Sequence, residues 1–214
     1  MMESFKNEDG LIVVNNLVKT IQSNKEYLSE VDGAIGDGDH GVNMNKGFTL
    51  CQTKLGDSKV SMSEALNVLG RTLIMEIGGS MGPLYGTIFM GLAKACKDKE
   101  TIDKNTFAEM LQSAMVGLQA FDKAKVGDKT LVDTLVPAID AFNAAISCEK
   151  SFKEALEDMK LAAEKGKEST KDMVAKIGRA SRLGERSRGT LDAGATSCNL
   201  ILQSMADSIL ELTK

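Results

Sequence analysis

Apolar residues recur along this chain at three- and four-residue steps, which is the spacing of one face of an α-helix. The stripe between residues 105 and 121 consists of Phe107, Met110, Leu111, Ala114, Met115, Leu118 and Phe121. The alternation typical of β-strands is not sustained in any segment. Ser61 and Glu64 have the spacing of a capping box, which opens a helix, and so do Ser151 and Glu154. The chain is therefore expected to be helical almost throughout.

The pattern predicts eight helices separated by glycine-rich turns. Their predicted bounds are 8–24, 41–55, 62–77, 83–98, 105–124, 129–146, 151–175 and 194–213. Short turns favour antiparallel neighbours, so the expected fold class is all-α, an eight-helix antiparallel up-and-down barrel or bundle. A chain of 214 residues is long enough to bury the core of such a domain.

Charge and composition exclude several classes of partner. The net charge is −4 and no run of lysine or arginine is long enough to follow a phosphate backbone, so nucleic acid is not an expected partner. The longest apolar stretches are interrupted every few residues, which excludes a membrane span. The four cysteines lie far apart, without a CxxC pair or a signal peptide, so reduced thiols in the cytoplasm are expected.

Residues 36–41 read GDGDHG and place two carboxylates and the only histidine of the chain, His40, in one glycine-rich turn. With Asp32 just upstream, Asp32, Asp37 and Asp39 fall within eight residues. Three acids so close repel one another unless a cation lies between them, and carboxylate oxygens are the hard ligands that Mg²⁺, Mn²⁺ or Ca²⁺ prefer. The turn predicts a divalent metal site, and the alternative is an acidic, solvated turn without a ligand.

Two other interpretations of this turn fail. The pattern G-x-G-x-x-G also describes a dinucleotide-binding turn, but that turn follows a strand and offers bare amides to a pyrophosphate, which Asp37 and Asp39 would repel. An EF-hand loop counted from Asp37 needs a glutamate at its twelfth position, where this chain has Phe48. A metal ion must therefore bridge this turn to any phosphate.

Two further glycine-rich segments have the composition of anion sites. Residues 78–86 read GGSMGPLYG, a turn that enters a helix near Gly82 and Pro83 with free amides and the positive end of a helix dipole. A tight helix–helix connection is an equal alternative there. Residues 177–195 form a long loop whose arginines suit phosphate, although they could also be solvated, with one neutralised by Glu185. These arginines are Arg179, Arg182, Arg186 and Arg188.

Four segments, in this order and at these separations, resemble the ADP-binding L subunits (DhaL) of dihydroxyacetone kinases. They are VDGAIGDGDHGVN, GGSMGPLYG, GDKTLVD and GRASRLGERSRGTLDAGA, and the resemblance extends to about residue 200. It implies an eight-helix antiparallel barrel with the nucleotide and metal site in the loops at one end. It also implies a single domain of this type over residues 1–214.

The resemblance further implies the residues of the site. Asp32, Asp37 and Asp39 are expected to hold two Mg²⁺ ions that clamp the nucleotide phosphates. Arg179 is expected to act with them in catalysis. The nucleotide contacts are expected at His40, Gly41, Val42, Asn43, Ser80, Met81, Asp122, Thr130, Leu131, Arg179, Asp192, Ala193 and Gly194.

The resemblance implies that ADP stays bound as a cofactor, with ATP as its phosphorylated form. A DhaM-type phosphocarrier is the expected donor, and a DhaK-type subunit is expected to present dihydroxyacetone as acceptor. A separate chain, without a fused acceptor domain, is typical of the phosphoenolpyruvate-dependent system, and a homodimer is expected. His40 is the only histidine and lies in the metal turn, which makes the nucleotide itself the expected phosphoryl carrier.

Several positions depart from the family pattern. Met81 stands where a serine is usual, and Thr190 and Ala193 replace a histidine and a proline. Asp122 and Leu131 stand where glycine and methionine are common. These changes leave the metal aspartates intact, but they indicate a divergent paralogue that could act on a different triose substrate or with different partners. Two alternatives stay open: a kinase module that uses ATP with another acceptor, as in related fatty-acid kinases, and a nucleotide-binding regulatory protein.

Overall fold

The computed structural model describes residues 3–214. Its α-helices are α1 (Leu11–Ser23), α2 (Lys25–Gly33), α3 (His40–Leu55), α4 (Met62–Glu76), α5 (Met81–Cys96), α6 (Lys104–Phe121), α7 (Val132–Ser147), α8 (Phe152–Ser169) and α9 (Ala193–Leu212). Two short strands are β1 (Ser4–Lys6) and β2 (Thr101–Asp103). Turns of 3₁₀-helix span Asn7–Asp9, Thr170–Asp172 and Arg179–Ser187. The predicted all-α class is confirmed.

The helices form a closed ring. Each packs against the next in chain order, and α9 packs against α1, which closes the ring. Only Asn24 separates α1 from α2, and both pack against α3, so together they occupy one position. The nine helices of residues 3–214 therefore fill eight positions of an up-and-down barrel. Because neighbours alternate in direction, the connections gather at two opposite ends.

The apolar stripes of the helices meet inside this ring in one core. Phe107 of α6 lies 5.2 Å from Phe142 of α7 and 5.8 Å from Phe152 of α8, measured between ring centroids. Phe48 of α3 and Phe89 of α5 form a second pair, at 5.8 Å. All five rings are buried. Since burying one such side chain stabilises a protein by about 1.5–3 kcal/mol, these contacts help to fix the order of the helices.

Most predicted helix bounds lie within three residues of the observed ones. Both capping boxes are present; in the first, the amide of Glu64 donates to Ser61 Oγ at 3.3 Å and the amide of Ser61 donates to Glu64 Oε2 at 2.8 Å. The end of α8 is the main error, since the helix predicted to reach residue 175 ends at Ser169 and tightens into a 3₁₀ turn. The loop predicted at 178–194 also contains 3₁₀ turns, interrupted at Gly184.

Three elements were not predicted. Helix α2 buries only Leu28, so it has no apolar stripe to reveal it. The strands are three residues each, too short for an alternating pattern, and they pair antiparallel with Phe5 opposite Ile102. Beside them the buried Asn7 side chain donates to the carbonyl oxygens of Cys96, at 2.8 Å, and Lys99, at 3.0 Å. The N-terminal segment is thus tied to the connection between α5 and α6.

No helix among residues 3–214 combines the length and the apolar character needed to cross a membrane. The four cysteines are free thiols, as expected. Cys148 is exposed, whereas burial raises the pKa of the Cys51 and Cys96 thiols to about 12.

Candidate functional site

Four connections between helices meet at one end of the barrel and enclose a cavity of about 490 Å³. They are the segments 34–39, 77–80, 122–131 and 170–192, which follow α2, α4, α6 and α8. A cavity of this volume is of the size that small ligands and cofactors occupy. A larger groove, of about 1370 Å³, lies on the outer side of α4, α5 and α6, but the acidic cluster described next belongs to the smaller cavity.

The acidic turn between α2 and α3 contributes three carboxylates to this cavity. One oxygen of each of Asp32, Asp37 and Asp39 lies within 4.8 Å of the other two. A side chain at Gly36 would collide with Asp32, and Gly38 has a φ of 76°, so both positions require glycine. Three convergent hard oxygens are the donor set of a divalent cation such as Mg²⁺ or Mn²⁺. The geometry fits a metal ion, and the metal role stays a prediction.

Arg179 brings a positive charge to the same turn from the segment between α8 and α9. Its guanidinium contacts the carboxylate of Asp37 and lies 3.8 Å from Asp39 Oδ2. Gly178, with a φ of 73°, turns the chain into the 3₁₀ run that begins at Arg179. The Arg179 side chain is 60% exposed, so its ion pair is screened and weak. Of the other arginines here, Arg188 pairs with Glu185 at 3.1 Å, as one alternative expected.

His40 lines the cavity, and its ring is hydrogen-bonded to α9. Its backbone amide donates to Asp32 Oδ2 at 3.4 Å, whereas ring atom Nε2 is hydrogen-bonded to Ser197 Oγ of α9 at 2.8 Å. The hydroxyl of Tyr85 is hydrogen-bonded to the same Ser197 Oγ at 2.6 Å and donates to the carbonyl oxygen of Gly194 at 2.8 Å. Burial lowers the pKa of His40 to about 4, and Asp32 opposes the shift only in part. His40 is therefore a neutral residue that links α3 to α9.

Two helices begin at the cavity without a side-chain cap. Asp39 and Ser80 occupy the N-cap positions of α3 and α5, and neither side chain bonds to the helix that follows. Uncapped amides and the helix dipole together favour an anion. A side chain at Gly82 would meet the carbonyl oxygens of Leu73 and Ile77, so this turn is also a tight connection between α4 and α5. The two interpretations of the turn are compatible.

The cavity wall includes most of the predicted nucleotide contacts. They are His40, Asn43, Ser80, Met81, Asp122, Thr130, Leu131, Arg179, Ala193 and Gly194. Asp192 also lines the cavity and caps α9, accepting a hydrogen bond from the amide of Ala195 at 2.7 Å. Burial raises the pKa of the Asp192 carboxyl to about 7, because the Ala195 amide and the Lys129 charge offset only part of the desolvation.

Gly41 and Val42 are not among the residues that line the cavity, and their contact with a nucleotide stays a prediction. Gly41 packs against α2, where a side chain would collide with the carbonyl oxygen of Lys25 and the hydroxyl of Ser29. Val42 is 49% exposed on α3. Only their main-chain amides, in the first turn of α3, are directed at the same end of the barrel.

Sequence reasoning assigned no role to several residues that line the cavity. Tyr85 and Lys129 belong to the segments GGSMGPLYG and GDKTLVD, which was the available signal. The apolar residues of the cavity wall gave no such signal, because single apolar residues near helix ends resemble core residues. These are Ile35, Leu84, Phe121 and Ile177.

A family model described as the DAK2 domain matches residues 34–207. The chain belongs to the DAK2 domain family. This DAK2 domain is 36% identical over 193 residues to the PEP-dependent dihydroxyacetone kinase 1, ADP-binding subunit DhaL, of Listeria innocua, covering 90% of the chain and 91% of that protein. It is 38% identical over 184 residues to the ADP-binding subunit DhaL of Escherichia coli K12, covering 85% and 87%. The resemblance to DhaL subunits is confirmed.

DAK2 domains also occur within longer proteins. The chain is 32% identical over 189 residues to the L-erythrulose kinase of Pectobacterium atrosepticum and covers 32% of it. Among solved structures, the dihydroxyacetone kinase of C. freundii superposes with a TM-score of 0.72 at 21% identity, covering 94% of this chain and 34% of that one. Its complex with AMP-PNP and Mg²⁺ gives 0.69 at 19% identity. At these identities the likeness shows a common fold.

Proposed function

We propose that this chain is the ADP-binding phosphotransfer subunit of a phosphoenolpyruvate-dependent dihydroxyacetone kinase. Bound ADP accepts a phosphoryl group from a DhaM-type phosphocarrier and passes it, as ATP, to dihydroxyacetone on a DhaK-type subunit, giving dihydroxyacetone phosphate. The observation that carries the proposal is the cluster of Asp32, Asp37 and Asp39 beside Arg179 in a cavity of about 490 Å³. The relatives named as ADP-binding DhaL subunits support it.

The three aspartates hold two Mg²⁺ ions in this proposal. When bound, the ions supply charge neutralisation for the nucleotide phosphates. Phosphoryl transfer needs positioning and charge neutralisation more than covalent help, and this end of the barrel offers both. The uncapped amides of α3 and α5 orient the phosphates. Arg179, which contacts Asp37 through an exposed guanidinium, turns to the transferred phosphoryl group.

The rest of the cavity wall divides into a polar and an apolar part. Thr130 and Asp192 provide polar groups, while Leu84, Leu131 and Ile177 provide an apolar surface for the base. The nucleotide, and not a histidine, carries the phosphoryl group in this proposal. Support comes from the ring of the only histidine, which is already hydrogen-bonded to a serine of α9 and is neutral.

The proposal also covers the domain, its oligomeric state and its partner subunits. Residues 1–214 form a single DhaL-type domain, supported by the closed ring and single core of residues 3–214. The domain works as a homodimer in the cytoplasm with its DhaK-type and DhaM-type partners. Four free thiols suit that reducing compartment.

Two measurements test the function. Native mass spectrometry of the purified protein should detect the chain with ADP and Mg²⁺ bound. Addition of DhaK-type and DhaM-type subunits with phosphoenolpyruvate and its phosphocarrier proteins should then yield dihydroxyacetone phosphate without added ATP. A protein that binds ADP but supports no transfer would instead be a nucleotide-binding regulatory protein.

A kinase module for another acceptor is the second candidate. It is favoured by the similarity to L-erythrulose kinase and by the unusual residues Met81, Asp122 and Leu131 on the cavity wall. Parallel assays with dihydroxyacetone and L-erythrulose, on the same partner subunit, distinguish the two. Faster transfer from added ATP to L-erythrulose would support the second candidate.

A further inference from the structure

Lys129 is a lysine buried beside the cavity, with a side chain 1% exposed. Its Nζ donates to the carbonyl oxygens of Thr190, at 2.6 Å, and of Thr170 and Ser187, each at 2.7 Å. A fourth carbonyl oxygen, that of Met173, lies at 3.4 Å. An ammonium group has three protons, so all of them are engaged by main-chain oxygens. Lys129 therefore has no proton left for a nucleotide phosphate, although it lies in the GDKT segment.

The backbone at Lys129 is held in a conformation that side chains rarely adopt. Its φ is 64°, in the left-handed region. The neighbouring turn is fixed by Asp133, whose carboxylate accepts from the amide of Gly127 at 2.5 Å and from that of Thr130 at 2.7 Å. Strain of this kind persists only where the surrounding structure enforces it, and it is common at functional sites. Here the turn directs a charged side chain inward.

The charge of Lys129 is balanced at a distance. Burial lowers its pKa, and the nearby Asp192 carboxylate opposes that shift. No carboxylate among residues 3–214 lies within ion-pair distance of its Nζ, so the carbonyl dipoles replace the missing counter-ion. Burying an ammonium group costs free energy unless every hydrogen bond is made. The charge therefore favours a single arrangement of its carbonyl partners.

Those partners lie at both ends of one segment, residues 170–190, which we call the covering segment. Thr170 and Met173 stand at its start, and Ser187 and Thr190 at its end. Further bonds join the two ends: the amide of Gly189 donates to the carbonyl oxygen of Lys171 at 2.7 Å, and the amide of Ala175 donates to Ser187 Oγ at 2.9 Å.

The middle of the covering segment is held differently. Between Gly178 and Gly184 no residue is buried, and the side-chain bond from Ser181 Oγ to the Gly178 carbonyl is local. Arg179, which reaches the acidic turn, lies in this part. The position of Arg179 thus depends on how firmly the two ends are held together.

We propose that Lys129 is a positioning residue, whose buried ammonium fastens both ends of the covering segment and so holds Arg179 over the three aspartates. This inference rests on the proposed function to the extent that the covering segment closes over a nucleotide. Lys129 itself touches neither phosphate nor metal.

The test compares Lys129→Met with Lys176→Met. Lys176 is the matched control, because it lies on the covering segment but is 62% exposed, and its only ion pair among residues 3–214 is with Asp128, at 3.3 Å. Without nucleotide, Lys129→Met should accelerate amide exchange of residues 170–190 at least tenfold and leave α3 to α7 unchanged, whereas Lys176→Met should not. Mg²⁺–ADP should bind about 10- to 100-fold more weakly to Lys129→Met, as when an outer-shell partner is lost. Unchanged exchange of the segment would overturn the proposal.

A double-mutant cycle separates positioning from general destabilisation. If Lys129 acts through Arg179, Arg179→Ala should weaken Mg²⁺–ADP binding about tenfold alone but less than about twofold in the Lys129→Met background. Additive losses would contradict the positioning role. Failure of the unmodified protein to bind Mg²⁺–ADP would instead refute the proposed function, while the exchange comparison would still decide the anchoring.

A measurement on the unmodified protein applies even if Lys129→Met does not fold. With ¹⁵N-labelled lysine, the ammonium protons of Lys129 should give an observable, slowly exchanging NMR signal, because they are buried and hydrogen-bonded. The exposed Lys176 should give none. If Lys129 exchanged as fast as the exposed lysines, the carbonyl cage would be absent and the inference would be wrong.

Discussion

The charge of the acidic turn is set by single side chains. Asp32, Asp37 and Asp39 bring their carboxylates within 4.8 Å, and the only salt bridge to them among residues 3–214 comes from Arg179. The side chains of Asp37 and Arg179 are 47% and 60% exposed, so water screens that pair. The remaining repulsion favours binding of a cation.

Asp37→Asn and Asp39→Asn are each expected to reduce phosphoryl transfer by about 100-fold or more, which corresponds to a few kcal/mol of lost charge stabilisation. Helicity should be retained, since both side chains are exposed. Steady-state rates with the partner subunits and far-ultraviolet circular dichroism check the two expectations. Asp57→Asn, in the exposed connection between α3 and α4, is the control. Near-normal turnover of either variant would remove the metal assignment.

Asp192→Asn should change how stability depends on pH. The pKa of Asp192 is raised to about 7 by burial, against an ordinary value of 3.8, so the folded state binds more protons between these values. The free energy of unfolding of the natural protein should therefore fall as pH rises from about 4 to about 7. Asparagine keeps the capping oxygen without this charge, so the variant should gain roughly 2 kcal/mol relative to the natural protein by pH 8, allowing for partial exposure.

Urea unfolding of both proteins at pH 5 and pH 8 measures this gain. Asp103→Asn is the matched control, because Asp103 caps α6 in the same way, accepting from the amide of Thr106 at 2.8 Å, at the other end of the barrel. An equal difference between Asp192→Asn and the natural protein at the two pH values would show that burial of this carboxylate has no such effect.

Among the elements, those with a continuous apolar stripe could be predicted from the sequence. Helix α6 buries Phe107, Met110, Leu111, Ala114 and Leu118, and its predicted bounds differ from the observed ones by at most three residues. Helix α2 and the two strands have too few buried positions to produce a pattern. The fold class follows from periodicity, whereas short and mainly polar elements depend on contacts that periodicity does not contain.

The parts of the candidate site that lie close together in sequence could be predicted, and the parts that are brought together by the fold could not. The three aspartates fall within eight residues, so the turn itself brings them together. Lys129 and its carbonyl partners are 41 to 61 residues apart, and the partners are main-chain atoms without a residue signature. The hydrogen bond of the His40 ring could not be predicted for a related reason, because its partner Ser197 is 157 residues away.

Ala193→Pro is expected to stabilise the protein. Ala193 is the first residue of α9, where a proline is tolerated because the amide lies outside the hydrogen-bond ladder of the helix. The preceding Asp192 has φ −84° and ψ 133°, which a following proline permits. The variant should raise the free energy of unfolding by about 0.4–1 kcal/mol, through a less flexible unfolded chain.

Thermal and urea unfolding check this expectation. Ala155→Pro in α8 provides the contrast, because it removes the bond from the Ala155 amide to the Ser151 carbonyl oxygen, at 3.0 Å, and should destabilise the protein. A lower stability of Ala193→Pro would show that the packing around this buried position does not accept the proline ring.

At the scale of the whole molecule, the two ends of the barrel carry different structural features. One end carries the paired strands and the buried Asn7, which tie the N-terminal segment to the connection between α5 and α6. The other end collects the acidic turn, the two uncapped helix starts and the covering segment around one cavity. The cavity is thus formed by these connections and by the helix ends next to them, while the closed ring of helices supports both.

If ADP is a retained carrier, its dissociation must be slow compared with turnover. Isotope-labelled ADP in the medium should then exchange into the protein far more slowly than the complete system, with DhaK-type and DhaM-type subunits, forms product. The physical reason is that the three aspartates, through the Mg²⁺ ions proposed there, and the covering segment would hold the nucleotide in both phosphorylation states. Exchange as fast as turnover would indicate an ordinary ATP-consuming kinase, and Met81 and Ala193 would be the first positions to vary.

The anchor at Lys129 has a consequence for how such a site can evolve. It recognises carbonyl oxygens, which every residue possesses, so the side chains at Met173 and Thr190 are free to change without loss of the anchor. The family resemblance implies a histidine at position 190; Thr190, which stands there, supplies its carbonyl oxygen at 2.6 Å. The side chains of the covering segment can therefore change during evolution, while Lys129, 1% exposed, keeps holding the main chain of that segment in place.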